Sequence, residues 1–296
     1  MIRVLGLLGF VLNEVEEGHL MTYRITILCE NSVGPISGTL GEHGFSALIE
    51  WDGGSLLWDT GQGFTLLHNA QRMNKNLHGL QQVALSHGHY DHSGGLLPLL
   101  RTCGPKQVFG HPAIFTPRYR HKDTGESLSL GMPYPKEYLE GQGAQFDLSD
   151  QFREILPNIC MTGQVSRTTD FETGDSGLYL DTCGCSRDPF DDDQSLVIST
   201  DKGLVVLLGC CHAGLINTLN HISDKTGRSD ICAVIGGTHL GFCAAQQLDQ
   251  TIALLKQWQI KKLAVSHCTG FAAAARLKQE FPAAFQSAQV GYSLDL

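Results

Sequence analysis

The stretch Ser86-His87-Gly88-His89-Tyr90-Asp91-His92-Ser93-Gly94-Gly95 directly follows a short apolar run that is predicted to be a buried strand. Alternate side chains of an extended segment point the same way, so His87 and His89 are expected to face one side. The turn that follows, ahead of a predicted helix, brings Asp91 and His92 to a neighbouring point. Neutral imidazole and carboxylate are ligands for zinc, iron or manganese. The pattern therefore predicts two ligands for each of two adjacent metal ions.

Two later histidines occur where a predicted strand ends in a turn of small residues. They lie in Gly209-Cys210-Cys211-His212-Ala213-Gly214 and in Ser266-His267-Cys268-Thr269-Gly270. Strand ends converge at one edge of an α/β sheet, so His212 and His267 are predicted to be metal ligands too. Asp59 also follows a predicted strand. We expect its carboxylate either to cap a turn or to fix a ligand imidazole.

The rest of the chain alternates strand and helix patterns. Ser46–Trp51 and Ser55–Trp58 are apolar runs joined by Asp52-Gly53-Gly54, which predicts a hairpin. This alternation favours the α/β class, with layers rather than an all-parallel sheet. Residues 112–193 are rich in Gly, Pro, Arg, Tyr and Asp and have weak periodicity, so we expect an inserted segment that forms a lid or a substrate-binding wall. Residues 1–21 are predicted to be an extension, and residues 22–296 a single domain.

The composition narrows the class of protein. The chain has 296 residues, 42% of them hydrophobic, which is enough for a real core and excludes disorder as the main state. A net charge of −9 disfavours nucleic-acid binding, and no apolar run approaches the roughly 18–20 residues of a membrane helix. The ten scattered cysteines indicate a reducing cytoplasm with mostly free thiols. Cys183-Gly184-Cys185 is expected to be a loop with two thiols rather than a metal or redox pair.

Together these motifs resemble the metallo-β-lactamase superfamily, and more closely its dihydropterin–ribofuranosylaminobenzene phosphate synthase branch. The resemblance covers about residues 22–295 and implies an αββα sandwich with two divalent metal ions at one edge, zinc ahead of manganese or iron. The phrases that carry the closer resemblance are Glu42-His43-Gly44-Phe45-Ser46, Trp58-Asp59-Thr60-Gly61-Gln62, Ser86 to His92, Gly209 to Gly214, Gly236-Gly237-Thr238-His239-Leu240 and Ser266 to Gly270.

The resemblance also implies how the ligands are shared between the two ions. His87 and His89 belong to one metal. The other metal takes Asp91, His92 and His267. His212 either completes the first site or stands between the two.

One position departs from the superfamily pattern, which usually has a bridging aspartate in a Gly-Asp pair after the later strand. The corresponding strand in this chain ends in Gly209-Cys210. Four residues are candidates to replace the bridging aspartate: Cys210, Asp193, His212 and His239. The bridge between the metals is therefore the least defined part of the predicted site.

The ligand series and the resemblance imply a metal-dependent hydrolase or synthase. A metal-bound hydroxide would attack a small anionic substrate, phosphorylated or an ester, with a pterin-related compound among the options. Asp91 would orient the hydroxide and His239 would protonate the leaving group, unless His239 only caps a turn. Four side chains are predicted to contact the substrate, against the alternative of a solvated loop: Arg118, Arg120, Tyr134 and Arg167.

Two other functions remain open on the same fold. A diiron redox enzyme would need a partner flavin domain and the bridging aspartate, and the sequence shows neither. A metal-binding sensor without catalysis would favour a closed structural site, whereas a set of histidines and an aspartate leaves room for water. The expected partner is a small molecule rather than a nucleic acid or a membrane, and the inserted segment offers a surface for a homodimer.

Overall fold

The computed structural model describes residues 21–36, 38–122 and 124–296, so nearly all of the predicted N-terminal extension lies outside the described residues. The strands are β1 Tyr23–Cys29, β2 Ser46–Trp51, β3 Gly54–Trp58, β4 Gln82–Ala84, β5 Lys106–Gly110, β6 Tyr119–His121, β7 Ser127–Ser129, β8 Ala144–Leu148, β9 Arg153–Leu156, β10 Ile159–Met161, β11 Leu178–Tyr179, β12 Ser195–Thr200, β13 Gly203–Leu208, β14 Ile231–Gly237, β15 Lys262–Ser266, β16 Phe285–Ser287 and β17 Ser293–Asp295. The α-helices are α1 Leu66–Arg72, α2 Tyr90–Ser93, α3 Leu96–Cys103, α4 Lys136–Gly141, α5 Leu215–Thr226, α6 Ala245–Leu255 and α7 Gly270–Glu280, and the short 3-10 helices are Pro112–Phe115 and His267–Thr269.

Two seven-stranded sheets form the body of the protein. The first has the strand order β17-β1-β2-β3-β4-β5-β8, and the second has the order β16-β15-β14-β13-β12-β10-β9. Each sheet is mixed: β3, β4, β5 and β8 are parallel neighbours in the first, and β13 to β16 are parallel neighbours in the second. The carboxyl ends of these parallel strands carry the predicted ligands, because ligands collect at this end of such sheets.

Alternating side chains of the central strands fill two different apolar layers. In β13, Val205 and Leu207 point to the core between the sheets, while Val206 and Leu208 point to the helices on the outside. In β3, Trp58 packs between the sheets and Leu57 packs under the helices of the other outer face. A strand buried on both faces requires this continuous apolar run. The layers are therefore helix, sheet, sheet, helix, and the αββα prediction is confirmed.

The predicted inserted segment, 112–193, is too long. Its strands β8, β9 and β10 are edge strands of the two main sheets, so these stretches belong to the sandwich. They are short and mostly half-buried, which leaves no alternation to mark them as strands. Outside the two main sheets the segment contributes the three-stranded sheet β11-β6-β7.

The close cysteine pair also differs from the prediction. Cys183 and Cys185 are joined by a disulfide, with Cα atoms 5.4 Å apart, which is a normal span for this bond. The other cysteines are free thiols, as expected. Among the described residues, none of the helices has the length and apolar character that a membrane crossing needs.

Candidate metal centre

Three predicted ligands form one buried cluster. His87, His89 and His212 each offer a ring nitrogen, and these atoms all lie within 4.8 Å of one another. Nε2 of His89 and both ring nitrogens of His212 are buried without a hydrogen-bond partner. Buried polar atoms are normally hydrogen-bonded, so such orphaned nitrogens fit a bound metal ion. The grouping agrees with the alternative in which His212 completes the first metal site.

A second cluster lies around the carboxylate of Asp91. Its Oδ2 is 3.2 Å from Nε2 of His267 and 3.1 Å from Nε2 of His43. His43 was not among the predicted ligands, because it stands alone in the sequence with no ligand at a regular spacing. Its only signal was its place in the phrase Glu42 to Ser46, which carried the family resemblance. This cluster fits a second metal ion, with His43 on its half-exposed side.

His92 lies between the two clusters. Its Nε2 is 3.2 Å from Nε2 of His267 and 3.1 Å from Sγ of Cys210. Cys210 thus lies beside His92, and its Sγ and a ring nitrogen of His87 are also within 4.8 Å of each other. Asp193 has a different position: its Oδ2 accepts the backbone N–H of Ala213, so it shapes the turn that carries His212.

The buried carboxylate of Asp59 orients histidine side chains of this centre. Its Oδ2 is 2.7 Å from Nδ1 of His92, and its Oδ1 accepts the backbone N–H of Ser86. The Ser86 hydroxyl donates to Asp59 and lies 2.8 Å from Nδ1 of His87. One carboxylate therefore orients His92 directly and His87 through the Ser86 hydroxyl, an arrangement that sets ring direction and tautomer in metal sites.

Burial and neighbouring charges set the protonation of these groups. Burial lowers the pKa of His89 to about 3, and burial together with His92 and His89 lowers the pKa of His87. Burial opposes ionisation of Asp91, yet His92, His267 and His43 hold its pKa well below the ordinary value. Neutral imidazoles and an ionised carboxylate are the forms that bind metals.

A cavity of about 230 Å³ opens onto both clusters. Arg120, a predicted substrate contact, and His239, the predicted proton donor, both line it. Nη2 of Arg120 is 3.0 Å from Oδ2 of Asp175, and Nε2 of His239 is 3.8 Å from the same oxygen. The exposed ring of Phe242 lies against His239 at 5.0 Å between centroids. Sequence reasoning missed Asp175, which has no neighbouring motif.

The structure contradicts the predicted substrate contact of Arg118. This guanidinium is buried, with Nε 2.7 Å from Asp188 and Nη2 2.6 Å from Asp192. Asp192 in turn accepts the backbone N–H of Gly88, between the first two histidine ligands. Arg118 therefore stabilises the loop His87–His92, which carries the predicted ligands.

The other two predicted contacts lie away from the cavity. Tyr134 packs beside Tyr138, with ring centroids 5.9 Å apart. Arg167 is exposed, and its Nη2 is 3.4 Å from the carbonyl oxygen of Pro189. Neither side chain is part of the cavity lining.

An αββα sandwich with clustered histidines and aspartate at one sheet edge defines a class of metal-binding proteins. A family model described as the metallo-beta-lactamase superfamily matches residues 40–158. A relative from Methanocaldococcus jannaschii, named 7,8-dihydropterin-6-methyl-4-(beta-D-ribofuranosyl)-aminobenzene-5'-phosphate synthase, is 30% identical over 93% of this chain and 97% of its own. The chain belongs to the metallo-β-lactamase superfamily, whose fold implies divalent metal binding.

Solved structures agree with this assignment. The protein Tm1679, described as a metal-dependent hydrolase of the β-lactamase superfamily, has a TM-score of 0.79 at 28% identity, covering 93% of this chain and 99% of its own. Zinc-bound PqqB from Methylobacterium extorquens has a TM-score of 0.57 at 16% identity, covering 92% and 100%. The second likeness shows the fold alone.

Proposed function

We propose that this protein is a metal-dependent hydrolase that acts on a small anionic ester or phosphoester. The observation that carries the proposal is the pair of ligand clusters at the floor of one cavity, with orphaned nitrogens on His89 and His212. A purely structural ion would need a closed ligand set, whereas this centre is open to a cavity. Two divalent ions are proposed, zinc ahead of manganese or iron.

Each of the two proposed metal ions has its own set of ligand residues. His87, His89 and His212 would hold one ion. Asp91 and His267 would hold the other, with His43 at its exposed side and with His92 and Cys210 between the two clusters. When bound, paired divalent ions lower the pKa of water and stabilise the negative charge that develops on a substrate.

Asp91 and His239 are the proposed catalytic residues. Asp91 lies in the cavity wall as part of the second cluster, where its carboxylate can accept a hydrogen bond from the attacking water and orient it. Burial opposes protonation of His239, but the neighbouring carboxylate of Asp175, 3.8 Å from Nε2, raises its pKa to about 9. His239 is then protonated at neutral pH and can protonate a leaving group. Asp175 is a positioning residue for that proton.

Arg120 is proposed to bind the anionic part of the substrate. Its side chain is part of the cavity wall and keeps a buried Nε without a hydrogen-bond partner. Guanidinium groups suit phosphate and carboxylate because their N–H donors form a planar fork. The second candidate is a synthase that acts on a pterin-related substrate. The name of the M. jannaschii relative supports this candidate.

The first experiment measures metal content by mass spectrometry on protein purified without added metal, followed by a screen of esters and phosphoesters. About two equivalents of zinc or manganese, together with turnover, supports the proposal. His89→Ala should lose metal and turnover, while His78→Ala, on the exposed surface, should keep both. Unchanged turnover in His89→Ala contradicts the proposal, and iron near two equivalents with a diiron spectrum favours the redox alternative.

A further inference from the structure

Cys210, His239 and Cys268 form another cluster of ligand atoms, which the proposed reaction does not use as a unit. The two Sγ atoms and a ring nitrogen of His239 lie within 4.8 Å of one another. The three residues follow β13, β14 and β15, which are parallel neighbours in the second sheet. The topology therefore delivers two thiols and an imidazole to a single point.

The imidazole of His239 has donor atoms available for a metal ion. Both ring nitrogens of His239 are buried without a hydrogen-bond partner. Sγ of Cys268 accepts the backbone N–H of His239 at 3.3 Å and donates to the carbonyl oxygen of Cys210 at 3.4 Å. A side chain at Gly237 would place its Cβ 2.6 Å from this sulfur, so glycine keeps the space around Sγ open.

We propose that Cys210, Cys268 and His239 bind a third metal ion, a soft divalent cation such as zinc in excess or cadmium, and that this ion inhibits the enzyme. Thiolate ligands select soft ions, and two cysteines with one histidine make a known three-ligand set for zinc. All three residues line the cavity, so a fourth position faces solvent and the ion can enter and leave.

Inhibition follows from the shared use of His239. An ion held by His239 would tie up this imidazole and would occupy the cavity that the substrate has to enter. This inhibitory part rests on the proposed function, whereas binding of the third ion does not. Cys210 also belongs to the cluster with His87 and His92, but Cys268 belongs to the third cluster alone. Cys268 is therefore the diagnostic residue.

The test is a cadmium titration of protein that already holds its zinc, followed by thiolate-to-cadmium absorption in the ultraviolet and by metal counting. The wild type should bind one further equivalent with a growing absorption band, and turnover should fall in parallel. Cys268→Ser should not bind the further equivalent of cadmium, and its turnover should be less sensitive to cadmium than that of the wild type. Cys232→Ser removes a buried cysteine from β14, away from the cavity, and should behave as the wild type.

The outcomes separate the two proposals. An undiminished band in Cys268→Ser overturns the third site, because the thiolate then belongs to another free cysteine. A band that depends on Cys268 without loss of turnover overturns the inhibitory part. If no substrate is turned over, the absorption band still decides whether the third ion binds. Should Cys268→Ser lose its resident zinc, His239→Gln provides the same test with both thiols in place.

Discussion

Three residues of the candidate site adopt a backbone conformation that side chains other than glycine usually avoid. Asp59, His239 and His267 have φ angles of 57°, 55° and 50°. Each follows the end of a strand, and the left-handed conformation costs roughly 1–2 kcal/mol for a residue with a Cβ. Strain of this kind persists where surrounding contacts fix it, and it collects at functional sites. The sharp turns aim these side chains at the common edge of the two sheets.

The buried carboxylate behind the centre gives a prediction at this scale. Asp59→Asn should lower the affinity for metal by about 10–100-fold, because the amide cannot accept hydrogen bonds from Ser86 and His92 with both of its terminal atoms. Competition with a chelator measures the change. Asp52→Asn, in the exposed turn of the first hairpin, is the matched control. Equal affinities in the two variants would show that Asp59 does not orient the ligands.

Sequence reasoning found side chains that share a motif and missed those that stand alone. His87, His89 and Asp91 were identified by spacing, because one short loop carries all three. His43 and Asp175 reach the site through the fold, and no local pattern marks them. Residue type was also a poor guide to exposure: Arg118 looked like a surface cation, but its partners lie about seventy residues further along the chain.

At the scale of elements, the inserted segment supports the ligand loop through a buried ion cluster. Arg118→Met should reduce the free energy of unfolding by about 3–5 kcal/mol, since the carboxylates of Asp188 and Asp192 would stay buried without a cation. Urea unfolding of the metal-free protein measures this change without interference from metal binding.

The control for that prediction is an exposed ion pair in the same segment. Lys122→Met removes the partner of Glu126, and pairs of this kind contribute less than about 1 kcal/mol. A loss in Arg118→Met no larger than in Lys122→Met would mean that the two aspartates are protonated or reached by water. In that case the ion pairs of Arg118 would not be what stabilises the backbone at Gly88.

The start of α5 gives a prediction about pH. Glu172 accepts the backbone N–H groups of Ile216 and Asn217, and burial raises its pKa above the ordinary value despite these bonds. Above about pH 4.3 the unfolded chain ionises first, so this group's contribution to stability falls as pH rises through the folded pKa. The stability of the wild type relative to Glu172→Gln should therefore decrease with rising pH.

Urea unfolding at a series of pH values from 4 to above neutral measures the difference in free energy of unfolding between the wild type and Glu172→Gln. Gln cannot accept both N–H bonds, which adds a constant offset but no pH dependence. Glu137→Gln, on the exposed side of α4, should track the wild type at every pH. A difference between wild type and Glu172→Gln that stays constant with pH would contradict the raised pKa.

The strand pattern was readable from the sequence wherever burial is complete. β2 and β3 were predicted nearly to the residue, because their apolar runs are bounded by turns. The edge strands β8 to β10 were not, since a short strand with one solvated face has neither a continuous apolar run nor room for alternation. Edges of sheets are defined by pairing with their neighbours, and pairing between distant segments leaves no local mark.

At the scale of the whole molecule, the candidate centre joins the two sheets. His87, His89 and Asp91 follow β4 of the first sheet, whereas His212 and His267 follow β13 and β15 of the second. Metal bound to this set would therefore hold the two halves of the sandwich together. Its ligands are close only in the folded chain, so metal binding favours the folded state.

Removing the metal should accordingly lower the melting temperature. A ligand at about 100 times its Kd stabilises the folded state by about 2.7 kcal/mol, and a domain of this size shifts by about 2–4 °C for each kcal/mol. Chelation should therefore reduce Tm by about 5–10 °C, and added zinc should restore it. His212→Ala, which lacks a ligand of the first cluster, should show a smaller shift, while His78→Ala should show the full one. Calorimetry with and without chelator measures both. An equal shift in His212→Ala and the wild type would mean that the stabilising ion does not depend on the first cluster.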